Sequence, residues 1–280
     1  MLGAIRIWEL DLESAGAFTL PAFHGPLLRQ VTGKALYERL GDVDAEAIFR
    51  APDGSRPFRF DTPVQGEREL RRYSRWSVRF VTFEPEVAGV LMEALVDGLA
   101  AGLGEQRVPQ QLVGCRMLAH GGADAPEWDG PPDVRERADE LAMWPELTVH
   151  LASPTEIKRR PMLPDGSLDR RSEMVRTPTG LDLLRATHLR AASLGYGPLA
   201  RFDAEAVDDE PGSFKVYTHR RASMAQDRRY TMVGVVGSLV LRPTLLQCGW
   251  LALAEVLGLG SDTAQGKGVV RVGGAGDMLG

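Results

Sequence analysis

His24 lies two residues before Pro26, where a helical pattern begins that carries Leu28, Val31, Ala35 and Leu36 at helix spacing and runs to Leu40. The positive end of such a helix favours neutral imidazole, the form that accepts a proton. A histidine that only caps or packs the turn would occupy the same place. Arg29 and Arg39 project from this helix, with Lys34 and Tyr37 on its exposed side. Arg242 ends a strand-like run just before Pro243. The stretch 258–268 is glycine-rich and holds Lys267. It fails as a nucleoside-triphosphate loop: one residue too many separates Gly260 from Gly266, Gly268 follows the lysine where Ser or Thr is needed, and the loop precedes a strand. What remains is a run of bare backbone amides beside a lysine, suited to close approach by a phosphodiester backbone, or a plain glycine-rich turn. His24, His120, His150, His188 and His219 form no HxxxH or His/Cys pair, so neither a metal nor another cofactor is expected.

The elements that position these residues fall into two similar halves. Ile5–Leu12 alternates as a strand, and Pro26–Leu40 is the helix already described. Glu46–Arg50 and Arg56–Phe60 flank the turn Pro-Asp-Gly and are expected to pair as a hairpin. Trp76–Phe83 reads as a strand, followed by a helix from Pro85 to just before Gly104 and a strand over Gln110–Ala119. Gly121–Pro132 has the composition of a linker. The second half repeats the order, with strands at Leu147–Ala152, Ser213–His219, Arg229–Leu241 and Lys267–Val272 and helices at Gly180–Leu194 and Thr244–Leu257. The tip between residues 220 and 227 reads as an extended hairpin, and the last residues as a frayed end. Two βαββαβ units predict an α+β fold of two tandem ferredoxin-like modules: residues 1–120, a linker over 121–145, and residues 146–280.

With 280 residues, 44% hydrophobic and 25% charged, the chain is long enough for two ordinary domains and has the balance of a globular protein. No apolar run is long enough to span a membrane, the start lacks a signal-peptide pattern, and two cysteines far apart form no disulfide framework. A cytoplasmic setting without membrane contact is expected. The net charge is −5, yet the charges are segregated. Residues 156–201 carry nine basic groups against five acidic ones, including Lys158, Arg159, Arg160, Arg170, Arg171, Arg176, Arg185 and Arg190. Residues 202–211 carry five acids and no base, and residues 213–229 return to +4 with Arg220 and Arg221 among their cations. A local basic surface on an acidic protein fits a nucleic-acid partner; solvated faces carry the same charges.

The helix–loop–strand GWLALAEVLGLGSDTAQGKGVVRV (249–272) resembles the C-terminal signature of the RAMP superfamily of CRISPR-associated proteins, nearest the branch that cuts CRISPR repeat RNA. LTVHLASPTEIKRR (147–160) is similar to the segment opening the second module of that family, and YTMVGVVGSLVLRP (230–243) to the strand before its last helix. AFHGPLLRQVTGKAL (22–36) matches the loop and helix where the family places catalytic groups. The basic stretch over about 155–200 departs from the simple pattern and resembles the arginine-rich helical finger of the type IV repeat-processing subunit.

The resemblance implies a metal-independent endoribonuclease that turns precursor RNA into mature guide RNA. The ribose 2′-hydroxyl attacks the adjacent phosphate, leaving a 2′,3′-cyclic phosphate and a 5′-hydroxyl. It assigns His24 as the base, Arg29 and Arg39 as phosphate clamps and Arg242 as a transition-state stabiliser. Repeat RNA would lie along Lys158, Arg159, Arg160, Arg170, Arg171, Arg176, Arg185, His188, Arg190, Arg220, Arg221 and Lys267, through phosphate and shape contacts. Retention on the product's 3′ hairpin beside other effector subunits also follows. The alternative is a non-catalytic RNA-binding subunit on the same fold.

Overall fold

The computed structural model describes residues 5–52, 55–118, 133–160, 171–196, 207–223 and 228–274, with side chains outside 220–230. The first half runs β1 (Arg6–Ser14), β2 (Phe18–Leu20), α1 (Gly25–Leu40), α2 (Asp42–Phe49), β3 (Phe58–Asp61), β4 (Arg68–Leu70), β5 (Arg75–Thr82), α3 (Pro85–Ala101) and β6 (Gln110–Met117). The second half runs α4 (Val134–Ala142), β7 (Leu147–Thr155), β8 (Lys158–Arg159), β9 (Glu173–Met174) and α5 (Gly180–Ser193). It continues with β10 (Asp208–Asp209), β11 (Ser213–Ser223), β12 (Arg228–Arg242), α6 (Leu245–Leu257) and β13 (Val270–Gly274). The first sheet has the order β3-β5-β1-β6, and in the second β11 pairs β12, then β7, then β13, all antiparallel. Both orders are those of a ferredoxin-like βαββαβ unit, as the sequence predicts.

Strand alternation decides what each face of the first sheet does. On one face Leu10, Leu12, Phe58, Phe60, Val78 and Phe80 form a core with α1 and α3. These two helices approach closely: a Cβ on Gly98 would lie 2.5 Å from the Val31 carbonyl oxygen. The other face carries Ile5, Ile7, Val81 and Phe83, which join the core of the second half. α6, opened by a Thr244–Gln247 capping box, is buried almost all round, since its own sheet, α4, α5 and the first half cover it. No described helix is long and apolar enough to cross a membrane.

Polar groups fix the two modules against each other. Arg59 is 1% exposed, and its Nε and Nη2 donate to the carbonyls of Val256 and Glu255 at 2.7 and 2.6 Å, satisfying two acceptors at the end of α6. Arg271 of β13 donates to both oxygens of Asp61 at 2.8 and 2.9 Å, and the Val64 amide donates to Ala152 at 2.7 Å.

Three sequence expectations are corrected. Glu46–Phe49 is the end of α2 rather than a hairpin strand: Ala45 and Phe49, four residues apart, bury one face of an acid-opened helix. Of the expected linker, 121–132 lies outside the described residues, while 134–142 is α4, capped by Asp133 and packed through Ala138 and Leu141. The helix expected to project as a finger is the first helix of the second module. Leu183, Leu184 and Ala191 of α5 are buried in its core. Residues 161–170, with Arg170, lie outside the described residues.

Candidate functional site

His24 is the residue preceding α1, and its backbone carbonyl accepts from the amides of Leu27 and Leu28. Its ring packs edge-on against Trp76 with centroids 5.8 Å apart and is 6% exposed. Burial first, and the Arg68 charge second, push its pKa down to about 4 against the opposing hydrogen bond with the Pro21 backbone. The imidazole is therefore neutral at pH 7, and its Nδ1 has no hydrogen-bond partner.

The turn holding His24 sits on the glycine-rich loop of the other module. A Cβ on Gly25 would lie 2.1 Å from the Gln265 carbonyl oxygen, so only glycine permits this contact. Thr62 Oγ1 donates to the Gly266 carbonyl at 3.5 Å, joining β3's exit to the same loop. Phe23 meets Tyr217 and His219 of β11 edge-on, with ring centroids 6.3 and 6.0 Å apart. One short segment, Phe23–Gly25, thus touches both the last loop and the long hairpin of the second module.

The other expected catalytic residues are not brought to His24. Arg29 donates to the Phe49 carbonyl at 3.4 Å, and its guanidinium lies 4.2 Å above the Phe49 ring, tying α1 to α2. Arg39 is at the far end of α1, about 22 Å along the helix from His24, and pairs with Glu93 and Asp97 of α3 at 2.8 and 2.7 Å. Arg242 pairs with Glu146, Glu210 and Asp208 at 2.7, 2.5 and 3.5 Å, which raises its pKa through hydrogen bonds to Glu210 and Glu146. It stands ten residues along β12 from Met232, the partner of His219, or about 30 Å of strand. Ion pairs with these three carboxylates, rather than a place beside His24, describe Arg242.

The expected RNA contacts divide in the same way. Lys267 is 1% exposed, with Nζ 2.6 Å from Glu156 and 3.5 Å from Asp262. Burial tends to raise the Glu156 pKa, but bonds from Lys267 and Ser261 hold it down at about 2. Lys267 therefore clamps the loop from inside instead of facing a phosphate. Arg190 is 4% exposed and lies over the Phe83 ring, and His188 packs edge-on against Trp250. Arg159 is held by both oxygens of Asp182 at 2.5 and 2.6 Å, and Lys158 pairs with Glu156 at 3.1 Å. Arg171 is exposed. Arg160, Arg176 and Arg185 are exposed and have no ion pair among the described residues. The side chains of Arg220 and Arg221 lie outside the described ones; their backbones pair with Thr231 and Tyr230 in the hairpin.

A cavity of about 610 Å³ opens where β8, α5 and the glycine-rich loop meet. Lys158, Arg159, Arg160, Arg185 and Arg190 line it, so five expected RNA contacts converge on one concavity. Sequence reasoning missed Arg68, an exposed residue of β4 paired opposite Leu20, whose charge reaches His24. It missed Tyr217 as well. Neither lies in a motif, and only strand pairing and module docking bring them beside the His24 turn.

No protein-family model and no curated protein matches the sequence. The fold matches solved structures closely in extent. A Cas6 product complex is 16% identical with a TM-score of 0.61, covering 96% of this chain and 99% of that chain. A RAMP protein binding different RNA substrates is 11% identical with a TM-score of 0.56, over 95% of this chain and 99% of that one. A chain from a partial Cas6-RT-Cas1–Cas2 complex is 12% identical with a TM-score of 0.59, and 99% of this chain covers 48% of it. The chain has the double ferredoxin-like fold of Cas6 and RAMP structures.

Proposed function

We propose that this chain is a RAMP-type protein that binds CRISPR repeat RNA and cleaves it without a metal, then stays on the 3′ hairpin within a larger ribonucleoprotein. The observation that carries the reading is the His24–Gly25 turn seated on the glycine-rich loop across the module boundary, in the fold of the Cas6 product complexes. The assembly with other CRISPR proteins rests on the likeness to a chain of the partial Cas6-RT-Cas1–Cas2 complex.

In the proposed reaction a neutral His24 takes the proton of a ribose 2′-hydroxyl, with Nδ1, buried and without a hydrogen-bond partner, as the acceptor once the turn admits the ribose. The 2′-oxygen bonds to phosphorus, the bond to the 5′-oxygen breaks, and that oxygen leaves with a proton. The products are a 2′,3′-cyclic phosphate and a 5′-hydroxyl. Arg68, an exposed cation whose charge acts on His24, replaces Arg39 and Arg242 as the candidate for stabilising charge on the non-bridging oxygens.

The second reading, a non-catalytic RNA-binding subunit, is favoured by the 6% exposure of His24 and by the ion pairs that occupy Arg39 and Arg242. Single-turnover incubation of wild type and His24→Ala with repeat RNA separates the two. Cleavage by wild type that falls by ~10²-fold in the variant, with RNA binding kept, supports the nuclease. Tight binding of intact RNA by both proteins supports the subunit.

A further inference from the structure

We infer that the cavity between β8, α5 and the glycine-rich loop is a binding pocket for one unpaired nucleotide. Its apolar surface comes from Ile157, Ala186 and Leu189, and Leu189 is 65% exposed, unusual for a leucine on a helix whose other face is packed. Its cations are Lys158, Arg159, Arg160, Arg185 and Arg190; Lys158 pairs with Glu156, Arg159 with Asp182, Arg190 is buried over Phe83, and Arg160 and Arg185 have no ion pair among the described residues. Gly260 and Ser261 supply its remaining edge. The carboxylates at the cavity, Glu156 and Asp182, are already engaged, the first by Lys267 and Ser261 and the second by Arg159 and the Thr179 hydroxyl. They leave the free charge in the pocket positive.

An apolar surface with a cationic rim selects a ligand that is flat and apolar at one end and anionic at the other. At about 610 Å³ the cavity has the size of a small-ligand site. A base would rest against Ile157, Ala186 and Leu189 while Arg160 and Arg185 take its phosphate. A paired base cannot enter, because its faces are stacked within the helix; an unpaired one can. The glycine-rich loop joins this pocket to the His24 turn, with Gly260–Ser261 on one side and Gln265–Gly266 on the other. A nucleotide held here would fix the register of a strand that passes His24. That strand is the repeat RNA of the proposed function, on which this part of the inference rests; the same chemistry also admits a free mononucleotide.

The test places 4-thiouridine at each unpaired position of the repeat RNA in turn and maps photo-crosslinks on the full chain. A crosslink from one unpaired position to the peptide containing 156–160 or 185–189 is the expected result. An abasic site at that position should weaken binding about tenfold, and Ala186→Phe, which fills the pocket, should weaken the intact RNA but not the abasic one. Titration with AMP tests the pocket apart from RNA. Saturable AMP binding that Ala186→Phe abolishes, without any such crosslink, assigns the pocket to a free nucleotide. That result keeps the pocket while the RNA reading is judged separately by cleavage. No mapped crosslink and no saturation by about 1 mM AMP overturns the proposal, as does equal weakening of intact and abasic RNA by Ala186→Phe.

Discussion

The His24 turn and the cavity beside Arg160 and Arg185 touch opposite parts of one glycine-rich loop, yet the first is closed around a neutral ring and the second is open and cationic. His24 is buried against Trp76, and this loss of water lowers its proton affinity despite the hydrogen bond with the Pro21 backbone. Arg160 and Arg185 keep theirs and hold charge ready for an anion. Burial therefore separates a group that reacts or positions from groups that attract. Lys267 and Arg59 lie on the closed side of this division, although by residue type they belong with the cations of the open side.

The comparison breaks first if those buried cations behave like surface ones. Arg59→Ala leaves the Val256 and Glu255 carbonyls without their donor and weakens the compensation of Asp61, and Lys267→Ala takes from Glu156 its buried cation, leaving it Ser261 and the exposed Lys158. Each should cost about 3–5 kcal/mol in chemical denaturation, whereas Arg160→Ala should stay within about 0.5 kcal/mol. Equal, small effects for all three would remove the distinction.

His24 gives the next largest effect. His24→Ala should lower single-turnover cleavage by ~10²-fold, and wild-type cleavage should be flat above about pH 5, because the ring is already neutral there. A rise centred near the ordinary histidine value would mean that the ring is hydrated in the complex. The same shift acts on stability. The unfolded chain binds this proton near 6.5 and the folded chain only near 4, so the contribution is complete above 6.5 and is lost as pH falls toward 4. The loss should reach about 3 kcal/mol, read as the difference between wild type and His24→Gln in denaturation at pH 7 and pH 4.5.

On the open side, Arg160→Ala with Arg185→Ala should weaken RNA binding about tenfold and reduce the salt dependence by about 1.4 in the log–log slope. An unchanged slope would show that these side chains meet no phosphate. The smallest effects are expected from Arg39→Ala and Arg242→Ala, whose carboxylate partners already hold them. Cleavage should change by less than about threefold; a larger loss with folding retained would return either arginine to the reaction.

The two βαββαβ units and both long helices of each module are legible from local period, with Pro at the start of α1. The stretch 42–49 is not, since eight residues give too short a period and the following Pro-Asp-Gly is a strong turn signal. The site is less legible than the fold for a different reason. Lys267 meets Glu156 across 111 residues, and Arg39 meets Asp97 across 58. No spacing rule anticipates such pairs, so a basic residue in a basic stretch reads as a ligand for RNA until the topology supplies its carboxylate. The same limit hid Arg68 and Tyr217, which reach the His24 turn only through β2–β4 pairing and the docking of β11.

The proposed reaction is metal-free cleavage through the ribose 2′-hydroxyl. Purified protein incubated with repeat RNA in EDTA, beside RNA carrying a 2′-deoxy sugar at the mapped cut, tests it most directly. The account predicts cleavage in EDTA to a 2′,3′-cyclic phosphate and complete protection by the deoxy sugar. Cleavage of the deoxy RNA, or intact RNA held tightly with no cut at all, would contradict it.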